Sequence, residues 1–397
     1  MLKANTHYDI LVIGAGLVGA SAVLSLKNQG LRIAVLDHQW SKPNLGGRPI
    51  SLAHASVTIF KKLGLWANLS DAALAIRAVE VSQYRRLGVL RLSAQELGVD
   101  ALGHVIPFNV LNSRLLDALH QQDGVDPYEI SELCALSVRH DAPSTCQFLD
   151  NNHQLQTLTA DLVIGADGTS SRVRDFLNLD VKQSGEAKIA LAASATITKT
   201  LAGVAHQRFT QHEVIALLPQ LEPDHVALIL TLSKETWQRR ADWTAQEWQA
   251  YLNPLCRGQW GEAVNLKLAG QYALQSQSVS RTYVPGAVLI GNAAQTLYPL
   301  AAQGFNLGLR DAVSLVEILI AARHQGEAMG DEAVLARYHA NRTRDHKRII
   351  RLTNTLSDVF GSQLPGLGVL RGLGLLALDM THSAKQAIAQ LAMGFDV

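Results

Sequence analysis

Between Tyr8 and Asp37 the chain reads YDILVIGAGLVGASAVLSLKNQGLRIAVLD, the stretch that most tightly restricts its fold. Ile10–Ile13 is an apolar run of strand length, followed by a glycine-rich turn, a helix of small apolar residues and a second strand, Arg32–Leu36, ending in an acid. Gly14, Gly16 and Gly19, with Leu17 and Val18 between them, have the G-x-G-x-x-G spacing of a βαβ dinucleotide unit. The first glycine permits a tight turn, the second lets the backbone approach a pyrophosphate, and the third lets helix and strand pack closely. A helix starting near Leu17 aims its free N–H groups and its positive end at those phosphates. Asp37, 23 residues past Gly14, stands where a carboxylate accepts from adenosine ribose hydroxyls. The motif does not choose between NAD and FAD.

A chain of 397 residues suggests two joined domains, and 48% hydrophobic residues supply ample core. With 35 basic and 34 acidic residues the net charge is +1, so no global field recruits nucleic acid. Cys134, Cys146 and Cys256 are scattered, without C-x-x-C, which argues against a disulfide scaffold and zinc knuckles, and no metal is expected. The N-terminus enters a strand by about residue 8 with no signal-peptide run, and no 18-residue apolar run reads as a membrane span. The expected compartment is a reducing cytoplasm.

After Asp37, Pro43 and Gly46-Gly47 mark a loop leading to Arg48-Pro-Ile-Ser-Leu and a helix over His54–Leu63. Arg48 could reach a phosphate or flavin, or lie on the surface. Val79–Tyr84 and Gly88–Leu92 read as a hairpin, and Asn112–Gln121 as a helix with Arg114 in its first turn. The helix dipole does not favour a cation there. In ADLVIGADGTSSRVR (Ala160–Arg174), a buried strand ends in Gly165-Ala-Asp167-Gly168. Asp167 could bind a cofactor hydroxyl or simply cap the next helix.

From Lys188 to Gln275 short alternating stretches read as an antiparallel sheet, with a helical insert over Glu235–Leu252 carrying Trp237, Trp243 and Trp248 as core or interface residues. This sheet, without a nucleotide signal, is the expected substrate region. The chain then returns to α/β: a strand Ala287–Ile290, the turn Gly291-Asn-Ala-Ala-Gln-Thr-Leu-Tyr-Pro299, and a helix from Gly304-Phe305-Asn306. Asn292 could bond a ribityl hydroxyl, and the helix start could stabilise negative charge at the edge of a reduced flavin. NAD has no such ring, so the two further turns favour FAD. Beyond Glu332 the pattern is helical, and the glycine-rich apolar tail Leu364–Leu378 suits packing on the body or a partner, or contact with a membrane interface.

GAGLVG, the GADG turn and the block GNAAQTLYPLAAQGFNLGLRDA, in this order across nearly the whole chain, resemble the group A flavoprotein monooxygenases of the para-hydroxybenzoate hydroxylase fold. Gln207-Arg-Phe-Thr-Gln-His212, LTNTLSDVF and RGLGLL are similar to the ubiquinone-biosynthesis hydroxylases, in particular the branch acting on polyprenylated methoxyphenols. The resemblance implies an α/β Rossmann-like FAD-binding domain (1–78, 100–185 and 276–345), an inserted antiparallel-sheet substrate domain (79–99 and 186–275) and a C-terminal helical segment (346–397). It implies pyrophosphate contact by Gly14, Gly16 and Gly19, ribose contact by Asp37, FAD contact by Arg48 and Arg114, and a role for Asp167 towards FAD and the pyridine nucleotide. Pro299, Gly304, Phe305 and Asn306 would lie against the isoalloxazine ring. One departure stands out: most of the family has Gly-Asp where this chain has Gly291-Asn292. Asparagine keeps the size and an acceptor oxygen but not the charge.

The implied reaction is NAD(P)H- and O2-dependent hydroxylation of an electron-rich phenol through a C4a-hydroperoxyflavin, with the protein orienting the ring and excluding water. Tyr298 and His212 are the candidates for moving a phenol proton, against the plainer readings of a core tyrosine and a surface histidine. The implied ligands are FAD, NAD(P)H as co-substrate, a polyprenyl-phenol and O2. Other ubiquinone-biosynthesis proteins, a second copy of the chain and the inner-membrane surface stay open as contacts. The rivals are another flavin oxidoreductase on this fold (an epoxidase or a prenyl reductase) and a non-catalytic FAD-binding scaffold subunit.

Overall fold

The computed structural model describes residues 6–38, 40, 48–139, 141–256, 261–296, 303–361 and 367–394. Its first sheet has a parallel core. Thr6–Ile13 lies between Ile33–Asp37 and Leu155–Gly165, parallel to both, and Ala287–Leu289 and Val125–Ser137 extend the parallel run on either side. Buried on both faces, these strands read as continuous apolar runs rather than alternating ones. The helix Leu17–Ser25 (α1) crosses between the first two strands. Its alanines, serines and Gly19 let it sit close to the sheet, and Ser21 satisfies its buried hydroxyl on the Leu17 carbonyl at 2.6 Å.

The antiparallel pair Val125–Ser137 and Ser144–Asp150 returns the chain to Leu155–Gly165. A further sheet joins Pro49–Ala53, Gly103–Pro107 and Leu74–Ile76. The helices His54–Lys62 (α2) and Phe108–His120 (α3) follow two of its strands, and the short Arg172–Phe176 (α4) follows the GADG turn. Because α3 begins at Phe108 rather than near Asn112, Arg114 lies in its second turn, so the expected clash with the helix dipole is absent.

The large sheet has eight strands, and its centre is formed by Ala263–Val279, Val181–Ile197, His225–Ser233, Glu213–Pro219 and Val204–Phe209. Its pairing is antiparallel except at one place: Ala78–Gln83, the first strand of the Arg85–Leu87 hairpin, runs parallel to Val204–Phe209. One face is covered by Lys234–Gln238 (α5) and Ala245–Cys256 (α6), where Trp248 is fully buried among Leu191, Ile215, Leu217, Leu228 and Leu230. Trp248 is core, and the part-buried Trp237 and Trp243 pack against it. Gln207, Ala216, Ile229 and Ala192 form a cross-strand row on the opposite face.

Two long helices, Gln303–His324 (α7) and Glu332–Gly361 (α8), close the nucleotide-binding side. The tail forms Leu367–Met380 (α9) and His382–Met393 (α10). It packs on the body: Leu375, Ala389 and Met393 bury against Leu90, Leu92 and Phe209 of the large sheet. Just beyond α10 the Gly394 carbonyl accepts from Arg310 Nη1 of α7 at 2.9 Å, so the tail straps the large sheet to α7. No helix among the described residues is long and apolar enough to cross a membrane.

Candidate functional site

The first glycine turn is built by steric exclusion. Gly14 has φ +104°, and a β-carbon there would stand 2.4 Å from the Ala166 carbonyl oxygen. At Gly19 a β-carbon would stand 1.9 Å from the Gly14 oxygen, so only glycine lets α1 start this close to the strand. Gly16 is different: it is exposed, and its β-carbon position meets nothing within 4 Å. This open ground at the start of α1 is where a pyrophosphate can approach the backbone. Asp37 Oδ2 accepts from the Ala15 N–H at 2.5 Å, holding the turn against the second strand.

The other two turns meet this one. The Ala166 N–H of the GADG turn donates to the Ile13 carbonyl at 2.7 Å. Val18 of α1 packs against Gly291 and Gly308, where β-carbons would lie 3.0 and 2.8 Å from its methyls. Buried Arg174 ties GADG to the third block, donating to the Ala293 carbonyl at 3.2 Å and the Thr169 carbonyl at 3.1 Å. Asp167 accepts from Ser171 Oγ at 2.5 Å and from the Val173 N–H at 3.0 Å, the geometry of the capping reading. Burial outweighs these bonds and raises its pKa above the usual carboxylate value.

Asn292 is exposed in the short turn Gly291–Ala293. Gly304 has open space at its β-carbon position, and Phe305 stacks on Phe60 at 6.5 Å. Asn306 is buried; it accepts from Ala53 N–H at 2.8 Å and Ser56 Oγ at 2.7 Å, and donates to the Ser51 carbonyl at 3.0 Å. It therefore fastens α7 to α2 and the strand before it. Arg48 places its guanidinium 5.0 Å from the rings of both Phe108 and Tyr272, bridging α3 and the large sheet. Arg114 is held by Asp71 and the Asn68 carbonyl. His212 is exposed on the turn before Glu213–Pro219. Tyr298 and Pro299 lie outside the described residues.

Sequence reasoning missed the support beneath Gly291. Asp311 of α7 is fully buried and accepts from the Gly291 N–H at 3.3 Å, Arg342 Nε at 2.7 Å and His346 Nε2 at 2.7 Å. Burial alone would raise its pKa, but His346 and Arg342 prevail and hold it below the usual range. The signal was Arg342 and His346 four residues apart on one helix, facing an acid inside an apolar run.

Three converging backbone turns with open ground at Gly16 fit an extended dinucleotide, and the fold and site define the class: an FAD-dependent monooxygenase fold. The chain belongs to the FAD-binding domain family (FAD_binding_3), whose model matches residues 7–353. It is 28% identical to the 3-demethoxyubiquinol 3-hydroxylase of Escherichia coli, over 98% of this chain and 99% of that protein. It is 27% identical to the ubiquinone hydroxylase UbiL of Rhodospirillum rubrum, over 99% and 91%. Among solved structures, p-nitrophenol 4-monooxygenase PnpA from Pseudomonas putida superposes with a TM-score of 0.81 over 99% of this chain and all of that one, at 16% identity.

Proposed function

We propose that this chain is an FAD-dependent, NAD(P)H- and O2-using hydroxylase of a polyprenylated methoxyphenol in ubiquinone biosynthesis. The observation that carries the reading is the meeting of the three turns: Ala166 of the GADG turn bonds to Ile13 beside the first turn, and Val18 packs on Gly291 and Gly308 of the third block. Bound FAD would accept hydride and activate oxygen. The chain's own residues do the rest. Gly14, Gly16 and Gly19 admit the pyrophosphate, Asp37 lies at the ribose end, and the α7 start places N–H groups towards the flavin edge. The row Ala192, Ile229, Ala216 and Gln207 is the substrate floor: three apolar side chains exclude water, and Gln207 offers a carboxamide to a ring oxygen. Full-length similarity to ubiquinone hydroxylases supports the substrate class.

The test is turnover of a short-chain 2-prenyl-6-methoxyphenol by FAD-loaded protein with NAD(P)H and labelled O2. The expected product is a phenol carrying one labelled hydroxyl. Oxidation confined to the prenyl chain would replace this reading with the epoxidase or reductase, and retained FAD without turnover would favour the scaffold.

A further inference from the structure

The two faces of the large sheet are covered unequally. Towards α5 and α6, Ile215, Leu217, Leu228 and Leu230 are at most 2% exposed. On the other face Ile229, Ala216, Gln207 and Val81 are only half-buried, although all four lie on inner strands. They form one cross-strand row: Ile229 lies across from Ala216, Ala216 from Gln207, and Gln207 from Val81. Three strand spacings of about 4.8 Å make the row about 14 Å long, longer than a phenol ring. Apart from Gln207 it offers no polar side chain.

Both banks of the row are apolar. On one, Phe209 and Val214 belong to the cluster that Leu375, Ala389 and Met393 of the tail helices complete. On the other, Ala205 and Leu218 pack with Ile76 and Val105 of the three-stranded sheet. The strand order gives the row a direction. Gln295–Thr296, just after the Gly291 turn, pairs with Ala263–Val279 at one edge of the sheet, and on that neighbouring strand Tyr272 carries Arg48. Val89–Ser93, under the tail, is the other edge. The row leads from the flavin side to the tail helices.

We propose that the Val81 end of this row, beside the tail helices, is the subsite for the prenyl chain of the phenol. This inference rests on the polyprenyl-phenol reading and adds where the chain lies. In a 2-prenyl-6-methoxyphenol the chain leaves the carbon beside the phenol oxygen. A ring over Ala216, with that oxygen on the Gln207 carboxamide, puts the chain within reach of Val81. A prenyl chain has no hydrogen-bonding atom, so it covers this apolar ground without stranding a polar group.

The experiment compares wild type, Val81→Phe and Val81→Thr as FAD-loaded full chains, on 2-prenyl-6-methoxyphenols with one and with three prenyl units. The readout is the ratio of kcat/KM for the three-unit phenol to that for the one-unit phenol. Val81→Phe fills the subsite and is expected to lower the ratio about tenfold. Val81→Thr keeps the shape and a strand-forming side chain but sets a hydroxyl against the chain, and is expected to lower the ratio about threefold. If Val81→Phe does not fold, Val81→Thr alone decides. An unmoved ratio, whether or not both rates fall together, would overturn the assignment. A wild type that hydroxylates neither phenol would instead remove the polyprenyl-phenol reading, and the inference with it.

Discussion

Asn306 Oδ1 accepts from Ser56 Oγ at 2.7 Å, joining the first turn of α7 to a helix 250 residues earlier in the chain. The same oxygen takes the Ala53 N–H at 2.8 Å, so one side chain sets where α7 begins relative to α2. Asn306→Ala would leave both donors buried without that acceptor. The expected cost is about 2–3 kcal/mol, read as a lower melting temperature together with weaker FAD binding. A melting temperature equal to wild type would show that the fastening is dispensable.

Gly16 and Gly19 share a motif but not a constraint, and one substitution separates them. Gly16→Ala adds a methyl to open space at a φ of −61°, so the apoprotein should keep its stability to within about 0.5 kcal/mol while FAD affinity drops. Gly19→Ala drives a β-carbon into the Gly14 carbonyl, and the apoprotein itself should lose about 3 kcal/mol or more. Chemical denaturation of both apoproteins checks the contrast, and equal losses would refute it.

The buried group beneath Gly291 should behave as a unit. Asp311→Asn keeps the shape but leaves Arg342 and His346 without their shared anion. Breaking such a pair from one side costs about 3–5 kcal/mol. A denaturation midpoint unchanged from wild type would contradict the arrangement.

His206 supplies a pH signature away from the flavin. Burial, helped by Arg208, Arg91 and Lys199, pushes its pKa down to about 4, although Glu80 Oε2 stands 3.3 Å from Nδ1. The unfolded chain, with an ordinary value near 6.5, binds the proton first as pH falls. The contribution to stability is therefore fully present above about 6.5 and is lost progressively down to about 4, on the order of 2–3 kcal/mol. In denaturation series across that window, His206→Gln should flatten the slope. An equally steep slope in the variant would place the titration elsewhere.

How far the sequence could be read depended on how local each constraint is. Gly14 and Gly19 were legible because the atoms they avoid lie nearby or belong to a turn with its own motif, and Gly16 because it stands between them at the motif's spacing. The sheet of Pro49–Ala53, Gly103–Pro107 and Leu74–Ile76 was not, since its short strands find partners far along the chain. The parallel pairing of Ala78–Gln83 with Val204–Phe209 was hidden for the same reason. Arg114 was misplaced within its helix because Phe108, Val110 and Leu111 already belong to α3, which starts right after the extended Pro107. Asp311 was not legible because its cations come from 31 and 35 residues later in the chain.

The most direct test is an absorbance titration of the apoprotein with FAD. Saturation at one FAD per chain, with the structured band of a flavin in an enclosed site, is the expected result. A titration that does not saturate, or free-flavin absorbance throughout, would contradict the claim that the three turns form a flavin site.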